Sequence, residues 1–241
     1  RDADIQVWNL ASRTQVCLIP ADAAFRVPLA LPPGSGTLIT LDPRERIYAR
    51  WNLATGHVLD SWPAEAGFRG FSSTATGGFA SESDPAFFSV TADGRAELRQ
   101  WGSGRSRHFE LGLRQINGAA LTSDGSHFAV SSSRGRAALW QVDPPRRRAE
   151  FSGFLLGTHG VGFSPEGSRI AVASLGREAV KLFDPGTGQE VLTLDGGDHM
   201  FSTVRFSADS RWLGASGPDG TLKLWPAPTL EEIAAAENLT R

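Results

Sequence analysis

The chain has 241 residues, 40% of them apolar, with 27 Gly, 14 Pro and a formal net charge of −2. That balance excludes a protein that holds duplex nucleic acid through its overall field, and no apolar run reaches the ~18 residues a membrane helix needs. The single cysteine, Cys17, excludes an internal disulfide and a multi-cysteine metal site, and is expected to be buried on a strand.

Short strand-like runs, each closed by an aromatic residue, recur along the chain. They are "IQVW" at Trp8, "IYARW" at Trp51, "AELRQW" at Trp101, "AALW" at Trp140, "VKLF" at Phe183 and "LKLW" at Trp225. The intervals are 43, 50, 39, 43 and 42 residues. A period of about 40–45 residues, with four strands per period, is the pattern of a β-propeller blade. The predicted fold is therefore all-β: a β-propeller of four-stranded antiparallel blades, with about five to six blades present and a short C-terminal helix.

In chain order, a half blade occupies 1–20. Its opening "RDADIQVWNL" reads as the end of a blade, so the chain is expected to be the C-terminal part of something longer. Its second strand, "TQVCLI" (14–19), could complete the last blade and close a ring; an open arc is the competing expectation. Further blades are expected at about 21–65, 66–112, 113–155, 156–196 and 197–226. Four of them share an internal offset of 19 or 20 residues: Leu31 to Trp51, Leu121 to Trp140, Phe163 to Phe183 and Phe206 to Trp225. Within each copy, turns such as "SDGS", "SPEGS" and "SADS" supply turn dihedrals and local side-chain hydrogen bonds. Apolar residues alternate between the turns, as Ile170 and Val172 or Leu222 and Leu224 do.

The blade at 66–112 is irregular. Its first strand is expected to be "FRGF", ending at Phe71, which leaves about ten extra residues in the Ser/Gly-rich loop 72–86. In the tail 227–241, Thr229 and Glu232 form a capping box before "LEEIAAAE", so a helix of about two turns is expected there, docked on the propeller.

These residues and spacings resemble the WD-repeat β-propeller family over nearly all of 1–226, most closely in the last blade. The resemblance implies a hydrogen-bonded set linking His199, Ser216, Asp219 and Trp225. A buried indole N–H needs an acceptor, and a hydroxyl and a His nitrogen ending on a carboxylate could supply that chain. The blade at 156–196 keeps His159 and Ser174 but has Glu178 and Phe183 in the other two places. The tail "LKLWPAPTLEEIAAAE" also resembles the C-termini of large bacterial WD-repeat proteins.

No motif carries reaction chemistry. Glycine-rich "GTGQE" and "PPGSG" lack the Lys-Ser/Thr of a phosphate loop, and no Gly-x-Ser-x-Gly elbow opens a helix. His199 with Asp198 and Asp219 lacks the further ligands a metal would require. No catalytic residue, cofactor or metal is expected. The arginines are the sharper signal. Arg134 and Arg136 flank a tight turn, while Arg146, Arg147 and Arg148 follow "DPP" and are expected at the opposite face. A rim of Arg134, Arg136, His159 and Arg177 is the expected partner surface, with the solvated charge run as the bland alternative. The expected function is a non-catalytic scaffold for a protein or peptide partner. The alternative is an enzyme or ligand-binding propeller using its central channel. The innermost strands "FRVPLA", "NGAAL", "HGVGF" and "STVRF" are mostly apolar and small, which favours the scaffold.

Overall fold

The computed structural model describes residues 4–9, 11–20, 27–30, 36–42, 44–64, 78–79, 86–100, 105–154, 156–174, 180–197 and 199–227. Every strand among them pairs antiparallel with its neighbour in sequence. The chain divides into two compact units, Arg1–Arg114 and Gln115–Arg241.

In the first unit, β1 (Ile5–Asn9) and β2 (Thr14–Ile19) form a two-stranded sheet. A four-stranded sheet follows, built in order from β3 (Val27–Ala30), β4 (Thr37–Asp42), β5 (Ile47–Asn52) and β6 (Val58–Pro63). The third sheet joins β7 (Gly78–Phe79), β8 (Ala86–Val90), β9 (Arg95–Gln100) and β10 (Ser106–Glu110). Cys17 and Ile19 of β2 pack against Leu38 and Trp51, which accounts for the buried cysteine.

In the second unit, β11 (Ile116–Leu121), β12 (His127–Ser132), β13 (Arg136–Gln141) and β14 (Arg146–Phe151) form one sheet. The next contains β15 (Thr158–Phe163), β16 (Ile170–Ser174), β17 (Val180–Phe183) and β18 (Glu190–Leu194). The last has three strands, β19 (Thr203–Phe206), β20 (Trp212–Ser216) and β21 (Leu222–Pro226). These are propeller blades in form: short antiparallel meanders whose outer strands are exposed and whose inner strands lie side by side.

A period of two in one strand explains how the blades of the second unit stack. Strand β16 is buried on both faces, and its period of two sorts its side chains. Ile170 and Val172 join Leu139, Phe151 and Phe183 on one side, whereas Ala171 and Ala173 join Phe201, Val204 and Leu213 on the other. The Phe151 and Phe183 rings lie 4.5 Å apart. Fully burying each such large side chain is worth about 1.5–3 kcal/mol.

Nearer the inner edge there is no room for side chains. A Cβ on Gly118 would lie 3.1 Å from the His159 carbonyl oxygen, and one on Gly160 would lie 2.8 Å from that of Ser202. One on Gly162 would lie 2.8 Å from the Val204 oxygen. The strands β11, β15 and β19 converge in that order because glycine permits the approach. The small residues of "NGAAL" and "HGVGF" are thus a packing requirement.

Two expectations change or fall outside the described residues. The innermost strand of the β7–β10 sheet is Gly78–Phe79, inside the stretch 72–86 expected to be a loop; "FRGF" itself lies outside the described residues. Strand β2 pairs with β1, from Ile5↔Ile19 to Asn9↔Thr14, the turn at 11–13 returning the chain directly onto it. The expected helix in 227–241 falls on residues 228–241, outside the described ones.

Candidate interaction surfaces

Antiparallel meanders put alternate turns at opposite ends of a sheet. In the second unit, the turns β12–β13 and β20–β21 and the starts of β15 and β19 share one end. The turns β11–β12, β13–β14, β15–β16, β17–β18 and β19–β20 share the other.

At the first end, His199 Nδ1 lies 3.0 Å from Asp219 Oδ2 and 3.3 Å from Thr221 Oγ1. The Thr221 amide donates to Asp219 Oδ1 at 2.9 Å, and this bond, followed by that of His199, holds the Asp219 carboxyl below the ordinary carboxylate range. Both side chains are about half exposed, 50% and 49%. The set expected from the resemblance stops there. Ser216 Oγ lies 2.6 Å from Thr203 Oγ1 instead. The Trp225 indole finds no hydrogen-bond partner among the described residues and packs edge-on against Phe201 at 6.0 Å.

Register gives the reason. In the β3–β6 sheet, Trp51 Nε1 donates to Thr40 Oγ1 at 2.9 Å, and Thr40 pairs with Ala49, two residues before the tryptophan. The residue facing that position in the last sheet is Ala215, paired with Lys223. Ser216 is one residue too late, so its side chain points to the opposite face. In the β11–β14 sheet the same place holds Val130, paired with Ala138, and the buried Trp140 indole N–H has no hydrogen-bond partner among the described residues. Phe183, facing Val172 by way of Lys181, has no donor to satisfy.

The expected rim is only partly available. Arg134 is exposed and donates through Nε to Gln115 Oε1 at 3.1 Å, a neutral partner. Arg136 is turned onto Glu150 through both Nε and Nη2. Arg147 Nη1 reaches the other Glu150 oxygen at 2.9 Å, so one carboxylate takes a member of each arginine group. His159 is half-buried: its Nδ1 lies 3.4 Å from Asn117 Nδ2, its Nε2 has no partner among the described residues, and burial pushes its pKa down. Arg177 lies outside the described residues.

Some residues that knit this end were not singled out in the sequence. Thr158 Oγ1 donates to the Ser132 carbonyl at 2.6 Å and accepts from the Ser132 amide at 3.0 Å. Asn117 Nδ2 donates to the Thr158 carbonyl at 2.6 Å. Arg205 sends Nη1 to the Val161 carbonyl at 3.3 Å, placing a charged group on an innermost strand read as apolar. A hydroxyl or amide at the start of an innermost strand was the available signal.

At the other end, hydroxyl groups tie neighbouring turns together. Ser123 Oγ donates to the Pro165 carbonyl at 3.0 Å, and Ser210 Oγ donates to Glu166 Oε2 at 2.7 Å. Bonds from Ser210 and then Ser168 hold the Glu166 carboxyl down to about 2. Among the described residues, no group of three or more His, Cys, Asp or Glu side chains converges as metal ligands would.

Residues 188–226, from the end of the β17–β18 turn through β21, match the family described as WD domain, G-beta repeat. This segment resembles a WD repeat. No curated protein matches the chain. The His199–Asp219 pair falls inside the WD repeat, as do Ser216 and Trp225, whereas Arg134, Arg136 and His159 belong to earlier sheets.

Proposed function

We propose that this chain is a non-catalytic protein–protein interaction module. The carrying observation is the WD repeat at 188–226, built on a sheet whose polar side chains are engaged in local bonding. Asp219 caps its own turn, and Ser216 meets Thr203. A scaffold of this kind buries a common core and leaves its turns free to vary, which suits recognition. Service within a larger bacterial signalling protein is proposed on the resemblance of the tail alone.

Within the expected rim, Arg134 is the residue best fitted to meet an acidic partner, since it is exposed and Gln115, to which its Nε donates, is neutral. The test is affinity capture by the intact protein, identified by mass spectrometry, repeated with Arg134→Glu. Specific capture that the substitution weakens supports the module and the rim. Substrate turnover by the purified protein, with no specific partner, would replace the scaffold reading with the channel-based enzyme.

A further inference from the structure

We infer that the pocket between the β11–β14 and β15–β18 sheets docks a peptide that presents an apolar side chain beside a carboxylate. This deepens, and rests on, the reading of the chain as an interaction module.

The pocket opens at the end that carries the β11–β12, β15–β16 and β17–β18 turns and has a volume of about 200 Å³. Small-molecule and cofactor sites run to ~300–1,000 Å³, so this one admits a single side chain while the rest of the ligand stays outside. Leu139, Phe163 and Pro185 give it apolar walls, and Arg148 and His127 stand among them.

A β-bulge puts Arg148 there. Leu139 pairs with Ala149 but Trp140 pairs with Arg147, so Arg148 is the extra residue of β14. The bulge leaves Arg147 free to hold Glu150 while Arg148 lines the pocket.

The carboxylates around the pocket are already occupied by their own turns. Asp124 accepts from Thr122 Oγ1 at 2.7 Å and from Ser126; these bonds outweigh the opposing effect of burial and hold its carboxyl below the ordinary range. Asp184 accepts the Gly186 and Thr187 amides and has Arg169 at 3.6 Å. Glu166 takes Ser168 and Ser210. Among the described residues, no carboxylate meets Arg148. An arginine with a free fork above an apolar recess is complementary to a carboxylate carried next to an apolar group.

The test is a titration of the intact, nitrogen-15-labelled protein with the peptide Gly-Ser-Phe-Glu-Ser-Gly and its Gln counterpart, followed by NMR. Saturable shifts at the Thr122, Gly167 and Gly186 amides are expected with the Glu peptide. Binding should be about tenfold weaker for the Gln peptide, and equally so for Arg148→Ala with the Glu peptide. Arg147→Ala should bind as the native chain does. Arg148 is exposed, so spectra unchanged away from the pocket verify the fold of its variant. No saturable shift at millimolar peptide, or binding indifferent to both the carboxylate and Arg148, overturns the proposal. Partner capture that survives Arg148→Glu removes the pocket and leaves the interaction module standing. Absence of any specific partner removes the module reading itself.

Discussion

Trp51 donates its indole N–H to Thr40 across two paired strands, at 2.9 Å and out of reach of solvent. Thr40 stands opposite the position two before the aromatic, where three other sheets place Val130, Val172 and Ala215, none of which can accept. A buried donor left without an acceptor costs about 1–3 kcal/mol. Thr40→Val should destabilise the first unit by that amount. Val130→Thr should stabilise the second by up to about 1 kcal/mol, because it offers the Trp140 N–H an acceptor. Urea unfolding midpoints measure both; a Val130→Thr variant with a lower midpoint would show that the added hydroxyl fails to reach the indole.

Gly160 faces the Ser202 carbonyl too closely for any Cβ. Gly160→Ala must push β15 away from β19, and overpacking of this kind costs about 1–3 kcal/mol. A thermal scan showing no loss of stability would mean that the inner strands are further apart than the structure has them.

Thr158 is wholly buried and serves both the amide and the carbonyl of Ser132. Thr158→Val keeps the shape but removes the hydroxyl's bond to the Ser132 amide and its bond to the Ser132 carbonyl, which keeps the Gly135 amide, so a loss of about 1–3 kcal/mol is expected. Asp219→Ala, at a half-exposed pair, should cost less than Thr158→Val in the same denaturant series. The reverse order would reinstate the full hydrogen-bonded set that the family resemblance implies.

Glu166 carries a pH dependence. Its carboxyl sits at about 2 in the fold against an ordinary 4.5, chiefly through the Ser210 bond. A depressed folded value adds stability above the unfolded value and loses it as the folded value is approached from above. The contribution should be complete above pH 4.5 and should fade toward pH 2. Glu166→Gln should therefore flatten the acid limb of the stability–pH curve; an unchanged limb would place the acid sensitivity elsewhere.

The blade rhythm was legible because its determinants are local. Aromatic strand ends, Asp/Gly turns and period-two runs carry their own geometry, and they placed β11 to β21 closely. The irregular third sheet was not, since a two-residue strand such as Gly78–Phe79 carries no periodicity and only its pairing with β8 marks it. The hydrogen-bonded set failed on one residue. Ser216 and Ala215 are neighbours in sequence yet face opposite sides, and only the register with β21 separates them. The role of Arg148 was hidden for a similar reason: three consecutive arginines read as a solvated run until the register with β13 makes Arg148 the extra residue of a bulge.

The two unlike faces of β16 give the stack a direction. Its larger side chains meet the sheet before it and its alanines meet the sheet after, so this repeat presents broad groups on one side and slim ones on the other. A duplicated repeat inserted in the same orientation brings both halves of that joint with it. Growth by tandem copying is thereby compatible with the core from the first generation, whereas a shuffled or inverted copy would have to rebuild two interfaces at once.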